Sequence, residues 1–486
     1  MQNGTSIGIA PNANRLLWAG FMAILAAGVG FSIRAGILGD WGREFGFTQT
    51  ELGQITGGGL LGFGIIILLG ALIADAVGYG RLMIFAFIIH LLSAVLTLAA
   101  TPIYKAAGKD AAYWCLYIGM FLFAIGNGVA EAVVNPLVAT LFPKNKTHYL
   151  NILHAGWPGG LILGGICSFL MVGKVKWEIQ MMLFMIPVVI YGVMCLGQLF
   201  PKSEAKTHGV SYGEMLAEFA QPVLILLLII HALVGYVELG TDSWISNITG
   251  NILASPQKGL MLFIYTSALM FTLRFFAGPI VHKISPLGLL FVCSIFAAVG
   301  LTMLGSAVTG AMLVVAATVY GIGKTFFWPT MLGVVSERFP KGGAITIGAV
   351  GGIGMLSAGL LGGPGLGYKQ DYYASNRLKE TNPALYDQYK SPSQNKFLFF
   401  PTIQGLDGTK VAAVRTKPAD QRLPDDKLVH DADIYGGRTA LKVTAAVPAV
   451  MAVLYLLLIF YFKAKGGYKQ VHIEGTGKEA KEVATV

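Results

Sequence analysis

Long apolar segments recur along this 486-residue sequence, and they limit its fold more than any other feature. Each is about 20 residues long, the length that an α-helix needs to cross the hydrocarbon core of a bilayer. Only 12% of the residues are charged and 55% are hydrophobic, whereas soluble proteins carry about 25% charged residues. The sequence therefore predicts an all-α integral membrane protein that crosses the lipid bilayer many times.

Twelve segments are long enough to be spans, and the charges between them predict their orientation. Membrane proteins keep an excess of Lys and Arg in cytoplasmic loops. With a cytoplasmic N-terminus, fourteen Lys and Arg residues fall on the cytoplasmic side and six in short outer loops. Both termini are thus predicted to be cytoplasmic, and the net charge of +10 needs no nucleic-acid partner. The predicted spans are Leu16–Leu38, Gly53–Ala74, Leu82–Ala100, Tyr113–Leu141, Tyr149–Val172, Ile179–Phe200, Pro222–Ile245, Gly259–Val281, Leu287–Ser306, Ala311–Val335, Ala344–Gly367 and Ala440–Phe462.

Six spans precede a hydrophilic segment and six follow it, which indicates two halves. A weak internal repeat supports this division, because EAVVNP at 131–136 parallels KTFFWP at 324–329, and FPK follows each of them. Parallel six-helix halves are typical of one large class of transporters. The predicted units are an N-terminal bundle at 1–200, a cytoplasmic linker at 201–221, a C-terminal bundle at 222–463 and a tail at 464–486.

A polar outer loop at 368–438 interrupts the C-terminal bundle. Loops of this length are uncommon unless they are functional or disordered. We expect a partly ordered outer cap, and a role in solute gating or partner binding is the alternative.

Glu131 lies in the middle of the fourth predicted span. A carboxylate at this depth costs about 2.5–3.5 kcal/mol to insert, so such residues usually face the bundle interior or a water-filled cavity. Burial disfavours the ionised form because it loses its solvation. Glu131 is therefore a candidate proton-coupling residue, and a structural carboxylate that pairs with a neighbouring helix is the alternative.

Four further ionisable residues within predicted spans suggest a shared cavity. Arg34 lies in the first span, Glu238 and Asp242 lie one helical turn apart in the seventh, and Lys324 lies in the tenth. Their signs suggest that Arg34 pairs with Glu131 and that Lys324 pairs with Glu238 or Asp242. We predict a polar, nearly charge-balanced cavity between the halves, and salt bridges between helices with no solute contact are the alternative.

Other polar and aromatic residues in the spans have less specific interpretations. Arg274 is expected to extend its side chain to the inner membrane surface. Trp157, Trp244 and Trp328 either stack on a sugar ring or simply pack. The sequence has no HExxH or GxSxG motif, and its four cysteines have no metal-site spacing. We therefore predict a protein that is not an enzyme and uses no metal or cofactor.

The plan of twelve spans resembles the major facilitator superfamily. ALIADAVGYGR at 71–81 resembles the loop signature of that superfamily between its second and third helices, with Asp75, Gly78 and Arg81 matching. In the superfamily this loop latches the inner gate, so the resemblance implies that these three residues form a gating loop.

Within the superfamily, the residues resemble the fucose–galactose–glucose:proton symporters. GNGVAEAVVNP at 126–136 is similar to their fourth helix, in which a glutamate precedes an NP pair. LNILHAGWPGG at 150–160 is similar to the next helix, although His154 stands in place of a sugar-contacting glutamine. GYVELGTDSW resembles their seventh helix, which carries a glutamate at the position of Glu238. Ala35, beside Arg34, takes the place of an aspartate in their first helix.

The sequence therefore predicts a secondary active transporter, with proton symport of a sugar or sugar derivative as the first hypothesis. A sugar-acid or organic-anion symporter that uses Arg34 and Lys324 is the alternative, and a solute sensor that does not transport is a third. We expect a monomer in a bacterial inner membrane. The predicted coupling residues are Glu131 and Glu238, and the predicted solute contacts are Arg34, Asn135, Asn151, His154, Trp157, Asp242, Trp244, Lys324 and Trp328.

Overall fold

The computed structural model describes residues 10–47, 49–171 and 173–473 of the chain. The predicted N-terminal residues 1–9, the end of the fifth span at Val172 and the part of the tail at 474–486 lie outside the described residues. In the described N-terminal half, nine α-helices build six passes. They are α1 (Ala13–Phe45), α2 (Gln49–Val77), α3 (Tyr79–Leu98), α4 (Ala100–Ala107), α5 (Lys109–Leu141), α6 (Lys146–His154), α7 (Gly156–Met171), α8 (Trp177–Met182) and α9 (Met185–Cys195).

The linker holds two short helices, and the C-terminal half again makes six passes. Two of these passes contain a π-helical turn, at Tyr236–Gly240 and at Ala358–Gly362. The remaining helices are α10 (Glu204–Thr207), α11 (Tyr212–Ala217), α12 (Pro222–Gly235), α13 (Thr241–Ile252), α14 (Pro256–Arg274), α15 (Ala277–Ser306), α16 (Gly310–Lys324), α17 (Phe327–Arg338), α18 (Gly343–Ser357), α19 (Gly363–Thr381), α20 (Pro383–Tyr389), α21 (Gly408–Thr416), α22 (Pro424–Thr444) and α23 (Ala446–Ala464).

Within the described residues, eleven helical segments are long and apolar enough to cross a membrane. The remaining pass is α14, a helix of 19 residues that includes Lys258 and Arg274. It packs against α7, α13 and α16. The all-α, twelve-helix plan predicted from the sequence is thus the observed architecture.

Two passes near the centre are broken, and each break lies just before a proline. The fifth pass changes from α6 to α7 at Ala155, three residues before Pro158. The tenth pass changes from α16 to α17 at 325–326, just before Pro329. A proline has no N–H and clashes with the preceding turn, so it frees a backbone carbonyl inside the helix. These breaks bring backbone acceptors to the middle of the molecule.

The long loop at 368–438 is folded rather than only partly ordered. Helix α19 continues as far as Thr381, and α22 begins at Pro424. We call 368–438 the cap, and the face of the molecule that carries it the cap face. Two isolated antiparallel bridges join 390 to 406 and 395 to 403. The cap has an apolar core of its own, which consists of Leu378, Leu385, Val411, Val414, Val429 and Ala432.

The opposite face carries the linker at 201–221, and we call it the linker face. Here the halves are joined by hydrogen bonds between the α6 end of one half and the α17 end of the other. The Lys146 ammonium donates to the carbonyl of Ser336 at 3.2 Å, and the Thr147 hydroxyl donates to the Glu337 carboxylate at 2.6 Å. The two halves are therefore closed together at the linker face.

The described part of the tail reinforces this closure. We call Tyr468–Ile473 the tail segment. The Tyr468 hydroxyl donates to Glu337 at 2.7 Å, and the Gln470 amide donates to the carbonyl of Pro143 at 2.8 Å. Burial, together with the nearby Glu337 carboxylate, raises the pKa of Tyr468 well above its ordinary value, so its hydroxyl remains a donor. The tail segment thus contacts both halves at once.

Candidate functional site

A small cavity of about 30 Å³ lies between the two halves. This volume is enough for about one or two water molecules. Its lining is drawn equally from both halves, so the cavity belongs to their interface. The N-terminal half contributes Ile24, Phe63, Glu131, His154 and Trp157, and the C-terminal half contributes Glu238, Leu239, Arg274, Trp328 and Met355.

Glu131 reaches the wall of this central cavity from α5. Its side chain is buried, and it lies 3.7 Å from Nε2 of His154. Asn135, one turn further along α5, donates to the backbone and side-chain oxygens of Glu131 at 3.0 and 3.4 Å. Among the described residues, no Lys or Arg lies within 4.0 Å of this carboxylate. The predicted pairing of Glu131 with Arg34 is therefore wrong, and Glu131 has only neutral or titratable neighbours at contact distance.

Asn135 also links Glu131 to the broken fifth pass. Its side-chain oxygen lies 2.8 Å from Nε2 of His154. Glu131, Asn135 and His154 therefore form one connected polar group on the N-terminal side of the cavity. An amide or imidazole of this kind can exchange hydrogen bonds with a carboxyl group in either of its protonation states.

Arg274 is the main difference between prediction and structure at this cavity. It does not extend to the membrane surface, because its guanidinium turns into the centre of the protein and is buried. Its Nη2 donates to Glu238 at 3.1 Å, so Glu238 has a cationic partner. Burial of an arginine costs free energy of desolvation, which is offset only when its N–H donors find hydrogen-bond acceptors. Pro158 and Pro329 are the sequence signal that could have predicted this burial, because each proline leaves a backbone carbonyl without its helical partner.

A larger cavity of about 360 Å³ lies beside the central cavity, towards the cap face, and we call it the outer cavity. Trp157 and Leu239 line both cavities, so their side chains form the boundary between them. Pockets that bind small molecules typically measure about 300–1,000 Å³. The outer cavity is therefore large enough for a small solute, whereas the central one is not.

Asp242 lines the outer cavity and is held by a cation from the tenth pass. The Lys324 ammonium contacts its carboxylate and lies 5.4 Å from the centre of the Tyr320 ring. Of the two pairings considered for Lys324, the one with Asp242 is present. Lys324 itself is buried and lies outside the lining of both cavities.

Arg34 was predicted to face the shared cavity, and the structure contradicts this. Its guanidinium lies inside the N-terminal bundle, where it donates to Ser93 of α3 at 3.0 Å. It also stacks over the rings of Phe123 and Phe184, at 3.9 and 4.9 Å. One residue is about 100° of rotation in an α-helix, so the neighbouring Ala35 lines the outer cavity instead.

The three tryptophans have different positions. Trp157 and Trp328 line the central cavity, and Trp328 also packs edge-on against His231 at 4.7 Å. Trp244 instead donates to the carbonyl of Gly363 at 2.9 Å and packs against Gly367. Trp244 therefore joins α13 to α19, and the predicted role as a solute contact does not match its position.

Asn151 and the predicted gating loop lie nearer the linker face. The Asn151 amide donates to the Thr330 hydroxyl of the other half at 3.2 Å, so this residue joins the halves and lies outside both cavity linings. Asp75 accepts a hydrogen bond from Tyr79 at 3.3 Å, and one of its carboxylate oxygens lies close to the start of α18 at Gly343. Gly78 has a positive φ of 94°, which glycine adopts readily, and Arg81 is exposed.

Two helical bundles, a cavity shared between them and one closed face together define a membrane transporter fold. The sequence model described as Major Facilitator Superfamily matches residues 20–363. The chain belongs to this superfamily. No curated protein shows a significant sequence match to the chain.

Solved transporter structures share the fold at low sequence identity. The proton:xylose symporter XylE has a TM-score of 0.66 at 13% identity, with 93% of this chain and 96% of that chain covered. The Escherichia coli fucose:proton symporter FucP has a TM-score of 0.60 at 13% identity, with 90% and 98% covered. The human organic anion transporter TETRAN has a TM-score of 0.62 at 13% identity, with 92% and 100% covered. These likenesses establish the fold.

Proposed function

We propose that this protein is a secondary active transporter that couples uptake of a small polar solute to a proton, with a sugar or sugar derivative as the solute. The two halves rotate about the central cavity, so that the cavity opens alternately to the cap face and to the linker face. The linker face is the cytoplasmic one in this proposal, which agrees with the excess of Lys and Arg in the segments that lie there. The membrane is a bacterial inner membrane, and the protein acts as a monomer.

The position of Glu131 is the observation that carries this proposal. Its carboxyl group lies in a cavity that both halves line, and it has no Lys or Arg partner within 4.0 Å among the described residues. A carboxylate without a fixed counter-charge can be neutralised by a proton. Glu238 differs, because Arg274 already compensates its charge. We therefore assign the coupling proton to Glu131 rather than to Glu238.

The outer cavity fits the first contact with a neutral polar solute. Its lining combines the carboxylate of Asp242 and the hydroxyl groups of Ser243 and Ser246 with the aromatic faces of Trp157 and Phe263. Aromatic faces and a few polar groups are common in small-molecule sites. Sugars present both hydroxyl groups and apolar ring faces, which such a lining can accommodate.

The organic-anion hypothesis loses the two cations on which it depended. Arg34 points into the N-terminal bundle, and Lys324 is paired with Asp242. Arg274 remains at the central cavity, but its charge is matched by Glu238. A solute anion would therefore meet a site without a free cation among the described residues.

Substitution of Glu131 by glutamine tests the proposal. Purified protein in liposomes is given radiolabelled sugars under a pH gradient, and equilibrium exchange is measured in parallel. We expect Glu131→Gln to abolish accumulation driven by the gradient while exchange continues, because the amide mimics the protonated carboxyl group but cannot release a proton.

The matched control is Glu214→Gln, which changes an exposed glutamate in the linker. It should accumulate solute like the unmodified protein. Accumulation by Glu131→Gln at the unmodified level would remove Glu131 from the coupling role. A complete lack of exchange by the unmodified protein with all solutes would favour the sensor hypothesis.

A further inference from the structure

We infer that Arg274 ties the two halves together beside the central cavity by binding one backbone carbonyl from each half, each of which a proline leaves without its helical partner. This inference rests on the alternating rotation of the halves in the proposed function, and it is independent of the identity of the solute and of the proton. The guanidinium group of Arg274 has three acceptors.

The first acceptor belongs to the N-terminal half. In a continuous α-helix, the carbonyl of His154 would accept from the N–H of residue 158. Residue 158 is a proline, which has no N–H. Nη1 of Arg274 donates to this carbonyl instead, at 2.6 Å.

The second acceptor arises in the same way in the C-terminal half. The carbonyl of Thr325 would be the partner of residue 329, which is again a proline. Nε of Arg274 donates to this carbonyl at 2.7 Å. One side chain thus compensates both of the broken passes, the fifth through α6 and the tenth through α16.

The third acceptor fixes the orientation of the guanidinium plane. Nη2 donates to Glu238 at 3.1 Å, on the turn that connects α12 to α13. The donors of arginine form a rigid planar fork, whereas a lysine ammonium is a single point that cannot span acceptors on three sides. The function of this position therefore depends on the shape of the side chain as well as on its charge.

The bond to His154 is the one that crosses between the halves, because Arg274, Glu238 and Thr325 all belong to the C-terminal half. The contacts that join the halves at the linker face therefore continue as far as the wall of the central cavity. We expect a rotation that opens the linker face to separate Nη1 from this carbonyl, because the bond lies between the halves on the side of the cavity where they are closed. Arg274 therefore favours the arrangement in which the linker face is closed.

Two substitutions test this role. Arg274→Lys keeps the positive charge beside Glu238 but removes the fork. Pro158→Ala restores an N–H that competes for the carbonyl of His154, while Arg274 itself is retained. The matched control is Pro187→Ala, which alters a buried proline in α9, away from Arg274.

The measurement is the distance between spin labels in detergent or nanodiscs, without any solute. One pair replaces Lys144 and Lys341, which are exposed at the linker face, one on each half. A second pair replaces Lys174 and Lys258, which are exposed on the other side. The four native cysteines are replaced by alanine in this background.

We expect both substitutions to shift the linker-face pair to longer distances and the other pair to shorter ones. Loss of one charged hydrogen bond between the halves should raise the ratio of molecules open at the linker face to molecules closed there about tenfold. Pro187→Ala should leave both distributions unchanged. Unchanged distances in Pro158→Ala would overturn the inference even if Arg274→Lys fails to fold. A shift in Pro158→Ala without any transport of sugars would support the tie and refute only the proposed solute.

Discussion

Single residues that are neighbours on one helix have opposite surroundings in this protein. Arg34 stacks on Phe123 inside the N-terminal bundle, and Ala35 lines the outer cavity. Glu131 and Glu238 both reach the central cavity, but only Glu238 has an arginine partner. Charge and depth in the membrane are therefore insufficient to assign a role, because the direction of the side chain decides which partner it meets.

Replacement of Arg34 by methionine should lower stability without changing solute selectivity. Among the described residues, the hydrogen bonds and ring contacts of this side chain lie within its own half, so its loss removes bundle contacts and not solute contacts. We expect the thermal unfolding midpoint to fall, while the relative affinities for an acidic and a neutral sugar stay equal to those of the unmodified protein. Thermal shift with both ligands measures the two effects. A selective loss of the acidic ligand would contradict the observed position of Arg34.

The sequence predicted the depth of the ionisable residues better than it predicted their partners. It placed Glu131 and Glu238 at a cavity between the halves because carboxylates at mid-membrane rarely face lipid. It did not predict that Arg274 is buried, because two of its three acceptors are backbone carbonyls. Pro158 and Pro329 indicate that these carbonyls are free, but only the packing of α14 shows that Arg274 reaches them.

At the scale of elements, close approach of backbones explains where glycines replace larger residues. A Cβ atom on Gly235 of α12 would lie 1.9 Å from the carbonyl oxygen of Gly354 in α18, and one on Gly28 of α1 would lie 2.4 Å from that of Trp157. Small residues let membrane helices pack this closely, since apolar burial does not drive their association within lipid. The sequence predicted the helices and their order. It did not predict these contacts, because they depend on where two helices cross each other in the folded bundle.

Gly235→Ala should therefore destabilise the C-terminal half. The added methyl group would clash with the backbone of Gly354, which cannot shift without disturbing α18. Overpacking of this kind lowers the free energy of unfolding by about 1–3 kcal/mol. We expect a lower midpoint of thermal unfolding and reduced exchange of solute. Gly53→Ala in α2 is the matched control, because its Cβ would have no neighbour within 4 Å. Equal midpoints for the two variants would show that α12 and α18 are less tightly packed than the structure indicates.

At the scale of the whole molecule, several independent segments close the linker face. The ends of α6 and α17 join the halves directly, and the tail segment contacts both of them. Ile473 also packs with Ala205 and Met215 of the linker. The sequence predicted a tail after residue 463, but it did not predict the contacts of the tail, because they depend on where the two halves meet.

Removal of the tail segment should loosen the linker face. A chain that ends at Gly467 loses the contacts of Tyr468 and Gln470, and we expect the distances between labels at 144 and 341 to increase and become broader. A chain that ends at Ile473 keeps these contacts and is the control. If both truncated chains gave the distances of the full chain, the tail segment would add nothing to the closure.

The attachment of the cap has a practical consequence. Both of its ends continue into helices of the C-terminal half, through α19 on one side and α22 on the other. An antibody fragment that grips its folded core would therefore travel with that half alone. Such a fragment would give electron cryomicroscopy a landmark outside the lipid, against which the swing of the opposite half could be followed image by image.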